Sequence, residues 1–169
     1  AAMIEIMDRL IGDALSFARG AQENPQQVDL EQLLSEVVGT FVNPVEYVCV
    51  QPEPRQLLLG VSALRRVLQN LLVNGIQHGG SVRLERSGTR LSIIDQGPGI
   101  PVDFREQVFQ PFFRLDEARS TTTGGSGLGL AIVRQLCQLQ GWKVWIESAA
   151  GGGTEVVVEL RPPEPAGSG

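Results

Sequence analysis

Two asparagines and a histidine recur every four residues in a leucine-rich segment. Asn70, Asn74 and His78 would lie on one strip of a helix, because residues i, i+4 and i+8 share a face. Asparagine is a mediocre helix former, so this pair requires an explanation. One interpretation is a solvated polar face. The other is a row of amide oxygens facing a bound Mg²⁺, which accepts one or two protein oxygens and takes its other ligands from water and phosphate.

A carboxylate ends a second apolar run. Asp95 follows the strand-like residues 91–94, and Gly97 and Gly99 follow it closely. A turn alone would explain the glycines. The aspartate is more informative, because a carboxylate that leaves a buried strand must find hydrogen-bond donors. The exocyclic amine of adenine is one such donor.

The stretch TTTGGSGLGLAIV, residues 121–133, places glycines directly before an apolar helical pattern. Gly125, Gly127 and Gly129 would let the backbone approach phosphate oxygens, and a helix starting near Leu128 would direct its free N–H groups at them. The preceding Ser/Thr/Gly run predicts a lid that orders over a ligand, with a plain linker as the alternative. Dinucleotide-binding folds also use G-x-G-x-G, but after the first strand of a βαβ unit, a context absent here.

Two arginines precede that run. Arg114 and Arg119 belong to FQPFFRLDEAR, residues 109–119, which also supplies an aromatic anchor. Their side chains suit phosphate contact, and surface salt bridges are the alternative role.

The composition limits the possible functions. The chain has 169 residues, 42% of them hydrophobic, and a net charge of −5. This charge provides no broad basic surface for nucleic acid or anionic lipid, so local features must hold any anionic ligand. Cys49 and Cys137 lack metal-ligand spacing and suit thiols in a reducing, cytoplasmic compartment. We find no apolar run of roughly 20 residues and no signal peptide, and we expect the first residues to be a cut end within a longer protein.

The N-terminal half is predicted to begin with helices. Apolar residues recur at helical spacing from Met3 to Ala18, and a polar linker follows. Asp29 with Gln32 resembles a capping box that starts a second helix. EYVCV and QLLLG are strand candidates, and Ser62 is predicted to cap a helix running to about His78.

The C-terminal half is predicted to contain two hairpins and one long helix. SVRLERS and LSIIDQ would pair across Gly88, and KVWIES and GTEVVVEL would pair across glycines 151–153. A short helical patch is expected from Val102 to Val108, and a helix from Leu128 to Leu139. This order predicts an α+β sandwich, with helices on one face of a mixed sheet of about five strands.

Four motifs together resemble a known family. NLLVNGIQHG, DQGPGIP, VFQPFFRLDEAR and GGSGLGLAIV are similar, in order and spacing, to the N, G1, F and G2 boxes of the catalytic and ATP-binding domain of bacterial sensor histidine kinases, closest to the EnvZ type. The resemblance covers about residues 29–160 and implies the Bergerat fold of the GHKL ATPase superfamily. The leading helix, residues 1–19, resembles the second helix of the family's dimerisation hairpin. Residues 20–28 would be a linker, 29–161 the ATP-binding domain, and 162–169 a disordered tail.

The resemblance implies an ATP and Mg²⁺ site. Asn74 would be the metal ligand, Asn70 would lie near the phosphates, and His78 would lie against the adenine that Asp95 binds. The implied catalytic residues are Asn70, Arg114 and Arg119. The implied nucleotide-contacting set is Asn70, Asn74, Gln77, His78, Asp95, Gly97, Gly99, Ile100, Arg114, Leu115, Arg119, Gly125, Ser126, Gly127, Leu128, Gly129 and Leu130.

The sequence departs from the family pattern at three points. Gln77 replaces the usual Lys or Arg, which removes one phosphate-directed charge. Gly75 replaces the usual Ala, at a helix cost on the order of 0.5–1 kcal/mol. The family's acceptor histidine lies on the first hairpin helix, which this chain lacks, and His78 is its only histidine. The isolated chain is therefore not expected to phosphorylate itself.

The implied function is transfer of the ATP γ-phosphoryl group to a histidine, for relay to a response-regulator aspartate. The implied partners are the protein's own dimerisation hairpin and a response regulator, within a homodimer that binds no nucleic acid. The chain would be the cytoplasmic domain of an inner-membrane sensor. Two alternatives remain open: a nucleotide-binding pseudokinase or scaffold, which Gln77 favours, and another GHKL ATPase such as an anti-sigma serine kinase or a MutL-like ATPase.

Overall fold

The fold is known from a computed structural model that describes residues 24–42, 45–110, 113 and 129–160. The predicted leading helix, residues 20–23 of the predicted linker and the predicted tail lie outside these ranges. The α-helices of the described ranges are α1 (Leu30–Gly39), α2 (Val61–Gly79) and α3 (Gly129–Gln140). Their β-strands are β1 (Gln26–Asp29), β2 (Val45–Gln51), β3 (Gln56–Leu59), β4 (Val82–Ser87), β5 (Arg90–Asp95), β6 (Lys143–Ser148) and β7 (Thr154–Glu159). None of these helices is long and apolar enough to cross a membrane.

Five strands form one mixed sheet in the order β2-β4-β5-β7-β6. The β2–β4 pair is parallel, and the other three pairs are antiparallel. Leu84, Ile93 and Val156 lie side by side in one row and are buried in the core with the helices, because alternate residues of a strand face opposite sides of the sheet. The predicted α+β architecture, with helices on one face, is confirmed.

A second, two-stranded sheet corrects one predicted boundary. Residues 20–28 were expected to form a linker, but β1 includes residues 26–28 and pairs antiparallel with β3. Val28 lies opposite Leu57, so a polar stretch with one apolar residue is ordered by a partner nearly 30 residues away.

The start of α1 follows half of the predicted capping box. Asp29 is the N-cap, and its Oδ1 accepts a hydrogen bond from the backbone N–H of Gln32 at 3.2 Å. The Gln32 side chain donates to Glu36 instead, at 3.4 Å. Arg55 contacts the other Asp29 carboxylate oxygen at 3.0 Å. The cap therefore also attaches α1 to the loop before β3.

The start of α2 differs from the prediction. The helix begins at Val61 with Gly60 as its N-cap, and no side chain of the cap residue satisfies the first turn. Ser62 therefore lies inside the first turn, and its prediction as the cap is wrong. Gly60 instead donates its N–H to Oε1 of Gln140, at the end of α3, at 3.1 Å. The predicted core face is confirmed, with these four residues buried: Leu64, Val67, Leu68 and Leu71.

Both predicted hairpins form. Gly88 sits in the β4–β5 turn with φ of +66°, a conformation that favours glycine. The segment predicted as a short helical patch contains two 3₁₀ helices, Val102–Phe104 and Gln107–Phe109. Together these elements bring the end of β5 to the C-terminal turn of α2 and the start of α3 to Asn70, in the middle of α2.

A buried arginine lies under α1. Arg86 is fully buried on the helix-covered face of β4, and its Nη1 donates to Glu31 of α1 at 2.9 Å. Its Nε donates to the Gly88 carbonyl at 2.9 Å, and its Nη2 donates to the carbonyl of Pro54. Tyr47 donates its hydroxyl to the same Glu31 oxygen at 2.5 Å. These contacts satisfy a charge that the core could not otherwise hold.

Candidate nucleotide-binding site

Asp95 ends β5 inside the protein. The residue is 5% exposed, and its Oδ1 accepts a hydrogen bond from the backbone N–H of Gly97 at 2.8 Å. Burial raises the pKa of Asp95 above its ordinary value of 3.8, opposed by the hydrogen bond from Gly97 and the charge of His78. The site thus contains a largely desolvated acceptor beside the last turn of α2, as predicted from its position after an apolar strand.

Two glycines allow the loop after Asp95 to pack on that turn. A Cβ atom on Gly97 would lie 2.9 Å from both Asp95 Oδ1 and the carbonyl oxygen of His78. A Cβ on Gly79 would lie 2.8 Å from the backbone nitrogen of Gln96. Gly97 is therefore required for close packing, whereas Gly99, with φ of +82°, meets a conformational requirement.

The β6–β7 turn contributes two residues that the sequence analysis missed. Thr154 is buried and lies directly opposite Asp95 in the β5–β7 pair. Gly153 has φ of +92°, and a Cβ on it would overlap the carbonyl oxygen of Asp95. The available signal was the G-G-G-T sequence, which we interpreted only as a hairpin turn.

The asparagine strip meets the start of α3. Asn70 and Asn74 are half-buried, whereas Gln77 and His78 are exposed. The Asn70 side-chain amide donates to the carbonyl of Arg66 at 3.0 Å. Its Oδ1 lies 3.8 Å from the position that a Cβ would take on Gly129. The N-box amides and the helix that follows the glycine motif are therefore adjacent.

A departure from the family pattern also has a steric cause. Gly75 lies on the buried side of α2, where it packs against Val82 of β4. The sequence predicts only a helix-propensity cost for Gly75, but the space beside Val82 excludes the family's usual alanine unless that contact relaxes.

The remaining predicted residues divide into two groups. Ile100 and Leu130 are partly buried and pack against the core at the edges of the site. The others lie outside the described residues: Arg114, Leu115, Arg119, Gly125, Ser126, Gly127 and Leu128.

Comparison with known proteins identifies the family. Residues 60–164 match the family described as histidine kinase-, DNA gyrase B-, and HSP90-like ATPase. The chain belongs to this family. The sensor histidine kinase CpxA of Escherichia coli is 33% identical over 91% of this chain, and the sensor-type histidine kinase PrrB of Mycobacterium leprae is 31% identical over 96%. The chain spans 37% of the length of each of these relatives.

Solved structures agree with this assignment. Full-length ShkA in complex with AMPPNP superimposes with a TM-score of 0.74 at 29% identity, over 90% of this chain and 35% of that one. The mycobacterial sensor histidine kinase MprB gives 0.61 at 32% identity, over 82% of this chain and 99% of that one. The predictions of a Bergerat-type sandwich and of an ATP-binding catalytic domain of the histidine kinase type are confirmed.

Proposed function

We propose that ATP binds between α2 and α3, with its adenine on Asp95. The single observation that carries this proposal is that α2 lies beside a buried carboxylate at one point and beside the start of α3 at another. Asp95 lies near His78 in the last turn of α2, and Asn70, two turns earlier, lies near Gly129 at the start of α3. A nucleotide-binding site needs an acceptor that recognises the base and a group that holds the phosphates, and a helix N-terminus can hold phosphates.

The donor set fits Mg²⁺ only as a partner of the nucleotide. Within the described part of the chain, no group of three or more His, Cys, Asp or Glu residues could hold a metal. The hard oxygens available are the amides of Asn70 and Asn74, and Mg²⁺ takes its other ligands from phosphate and water. We propose Asn74 as the ligand. The bound ion would neutralise phosphate charge.

We further propose that the whole protein is a histidine kinase. The γ-phosphorus–oxygen bond to ADP breaks, a phosphorus–nitrogen bond to an acceptor imidazole forms, and the imidazole loses its proton. This chain's residues hold the nucleotide in line for that attack, because phosphoryl transfer depends mainly on positioning and charge neutralisation. Asn70, Arg114 and Arg119 are the proposed catalytic residues, and Ser126–Leu130 is proposed to contact the phosphate chain. Names such as CpxA and PrrB, both sensor histidine kinases, support this activity.

The partners and location follow from the same proposal. The acceptor histidine would lie on a dimerisation hairpin of a homodimer, and a response-regulator aspartate would take the phosphoryl group from it. The chain would lie on the cytoplasmic side of an inner-membrane sensor. An exposed, uncharged Gln77 favours one competing function, a domain that binds nucleotide without transferring phosphate.

Calorimetric titration tests the binding proposal. ADP and AMPPNP are titrated into the chain with and without Mg²⁺, and the Asn74→Ala variant is compared with Gln69→Ala, an exposed amide on the same helix. We expect the wild type and Gln69→Ala to bind more tightly with Mg²⁺, and Asn74→Ala to lose that gain. No binding by the wild type would refute the proposed function, whereas an unchanged gain in Asn74→Ala would refute only the metal assignment.

A further inference from the structure

Arg105 links two parts of the adenine end of the site. The residue follows the first 3₁₀ helix, and its half-buried side chain makes two directional contacts. Its Nε donates to the carbonyl oxygen of Ile100 at 3.1 Å, and its Nη2 donates to the Ser148 hydroxyl at 2.7 Å. Arg105 itself is not among the residues predicted to touch ATP.

Both partners of Arg105 are connected to Asp95. Ile100 ends the loop that begins at Asp95 and is fixed near its start by the Gly97 N–H. Ser148 lies in the same row of the sheet, because Ser148 pairs with Thr154 and Thr154 pairs with Asp95. These contacts form a closed ring. It runs from Asp95 along the loop to Ile100, through Arg105 to Ser148, and through Thr154 back to Asp95.

A closed ring restrains the loop in a way that its own residues do not. Gly99 adopts φ of +82°, and glycine is the residue least restricted by its own backbone. The Ile100 side chain packs against the core, and the Arg105 side chain joins the Ile100 carbonyl, at the far end of this segment, to Ser148 of β6. A lysine could not replace this arginine, because two contacts in different directions need the planar guanidinium fork.

We propose that Arg105 is a positioning residue that sets adenine affinity and selectivity by holding the Asp95 loop against Ser148. The proposal rests on the proposed nucleotide function. It assigns Arg105 no contact with the nucleotide, and its effect is transmitted through the carbonyl of Ile100. Removing the guanidinium should therefore lower the affinity for adenine nucleotides while it leaves the stability of the fold nearly unchanged.

A double-mutant cycle with Arg105→Met and Ser148→Ala tests the proposal, with ADP and GDP as probes. Loss of a charge-assisted hydrogen bond predicts about tenfold weaker ADP binding by Arg105→Met and a smaller loss in Ser148→Ala. The double variant should bind ADP no more weakly than Arg105→Met, and the preference for ADP over GDP should fall. Arg105→Lys should behave like Arg105→Met.

The controls separate positioning from stability. Arg83→Met removes an arginine that contacts Glu46 and Glu85 on the exposed side of the sheet, and it should bind ADP like the wild type. Unchanged ADP affinity in Arg105→Met, additive losses in the cycle, or equal losses for ADP and GDP would overturn the proposal. If Arg105→Met does not fold, Ser148→Ala decides alone by its ADP-to-GDP preference. A wild type that binds neither probe would refute the proposed function itself.

Discussion

Gly75 of α2 faces Val82 of β4 so closely that a Cβ atom on Gly75 would lie 2.8 Å from Val82 Cγ2. Real Cβ atoms essentially never approach a neighbour this closely, so Val82 leaves no room for a side chain at position 75 unless it shifts. The glycine lets α2 approach the strand hairpin whose second strand ends at Asp95.

Gly75→Ala is therefore expected to destabilise the chain, although alanine is the better helix former. The helical gain of about 0.5–1 kcal/mol is outweighed by an overpacking cost of about 1–3 kcal/mol, which leaves a net loss near 1 kcal/mol. Urea unfolding measures this difference. A Val82→Ala background removes the contact with Cγ2 and leaves one of 3.3 Å to the Cβ of residue 82, so Gly75→Ala should cost less stability there than in the native background. A stabilising effect in the native background would contradict the steric explanation.

Asp95→Asn should weaken ADP binding by about 10- to 100-fold, because a charge-assisted hydrogen bond contributes about 1.5–3 kcal/mol. Calorimetric titration gives the affinities. An unchanged affinity would remove adenine recognition from Asp95.

The same substitution should stabilise the empty protein. The pKa of Asp95 is raised above 3.8 in the folded state, chiefly by burial. The folded state therefore binds the proton more tightly than the unfolded state does, and stability falls as pH rises through the folded pKa. Asp95→Asn should raise the melting temperature at neutral pH and change it little below pH 3.8. If Asp95→Asn melted at a lower temperature than the wild type at neutral pH, the buried carboxylate would not be costing the fold stability.

Arg86→Met should destabilise the fold by roughly 2–4 kcal/mol, because it removes the arginine donor from two backbone carbonyls and from Glu31, which keeps the Tyr47 hydroxyl but loses its charged partner. Arg83→Met, which breaks only exposed ion pairs, should cost less than about 1 kcal/mol. Thermal or urea unfolding of the two variants gives the comparison. Equal losses would mean that burial adds nothing to the value of the Arg86 contacts.

Glu31 should make the free energy of unfolding depend on pH in the acidic range. Burial raises its pKa, but hydrogen bonds from Tyr47 and Arg86 outweigh burial and hold the pKa below the ordinary value of 4.5. A depressed carboxylate pKa contributes stability that is present above pH 4.5 and is lost as pH falls through the folded pKa. Glu31→Gln should therefore lose less stability than the wild type on acidification. Parallel pH profiles for the two proteins would argue against this linkage.

The isolated chain should remain unlabelled when incubated with labelled ATP and Mg²⁺, because its only histidine, His78, lies in the last turn of α2 at the proposed nucleotide site. A dimeric hairpin carrying an acceptor histidine should become slowly labelled when added in trans, since separation discards the high effective concentration of a covalent link. Acid-labile phosphate on His78 would contradict its assignment. A hairpin that stays unlabelled beside nucleotide-bound chain would favour the non-transferring function.

The sequence predicted most elements because their apolar periodicity is local. The sequence also predicted one candidate site that contains Asn70, Asn74, His78 and Asp95, because helical spacing and the end of a strand can be recognised without tertiary information. What it missed depends on distant partners. The first strand pairs with a segment nearly 30 residues away, and the burial of Arg86 depends on partners in α1 and in the loop before β3.

The site was incomplete for the same reason. Thr154 matters because β7 lies beside β5, and a hairpin pattern does not tell which strand is its neighbour. Arg105 has one partner five residues away and the other 43 residues away, so no motif in its own segment marks it. Ser62 was predicted as a cap because serine is a good local cap, whereas the actual acceptor for Gly60 lies at the end of α3.

That Gly60–Gln140 hydrogen bond makes the folding of two helices interdependent. Its partners are separated by 80 residues, so the N–H of the α2 N-cap can reach this acceptor only after the chain has closed that loop. Amide protons in the first turn of α2 and the last turn of α3 should therefore exchange through one shared opening rather than by independent fraying. A ligand held by the C-terminal half of α2 would then slow exchange at an end of the helix that it does not touch.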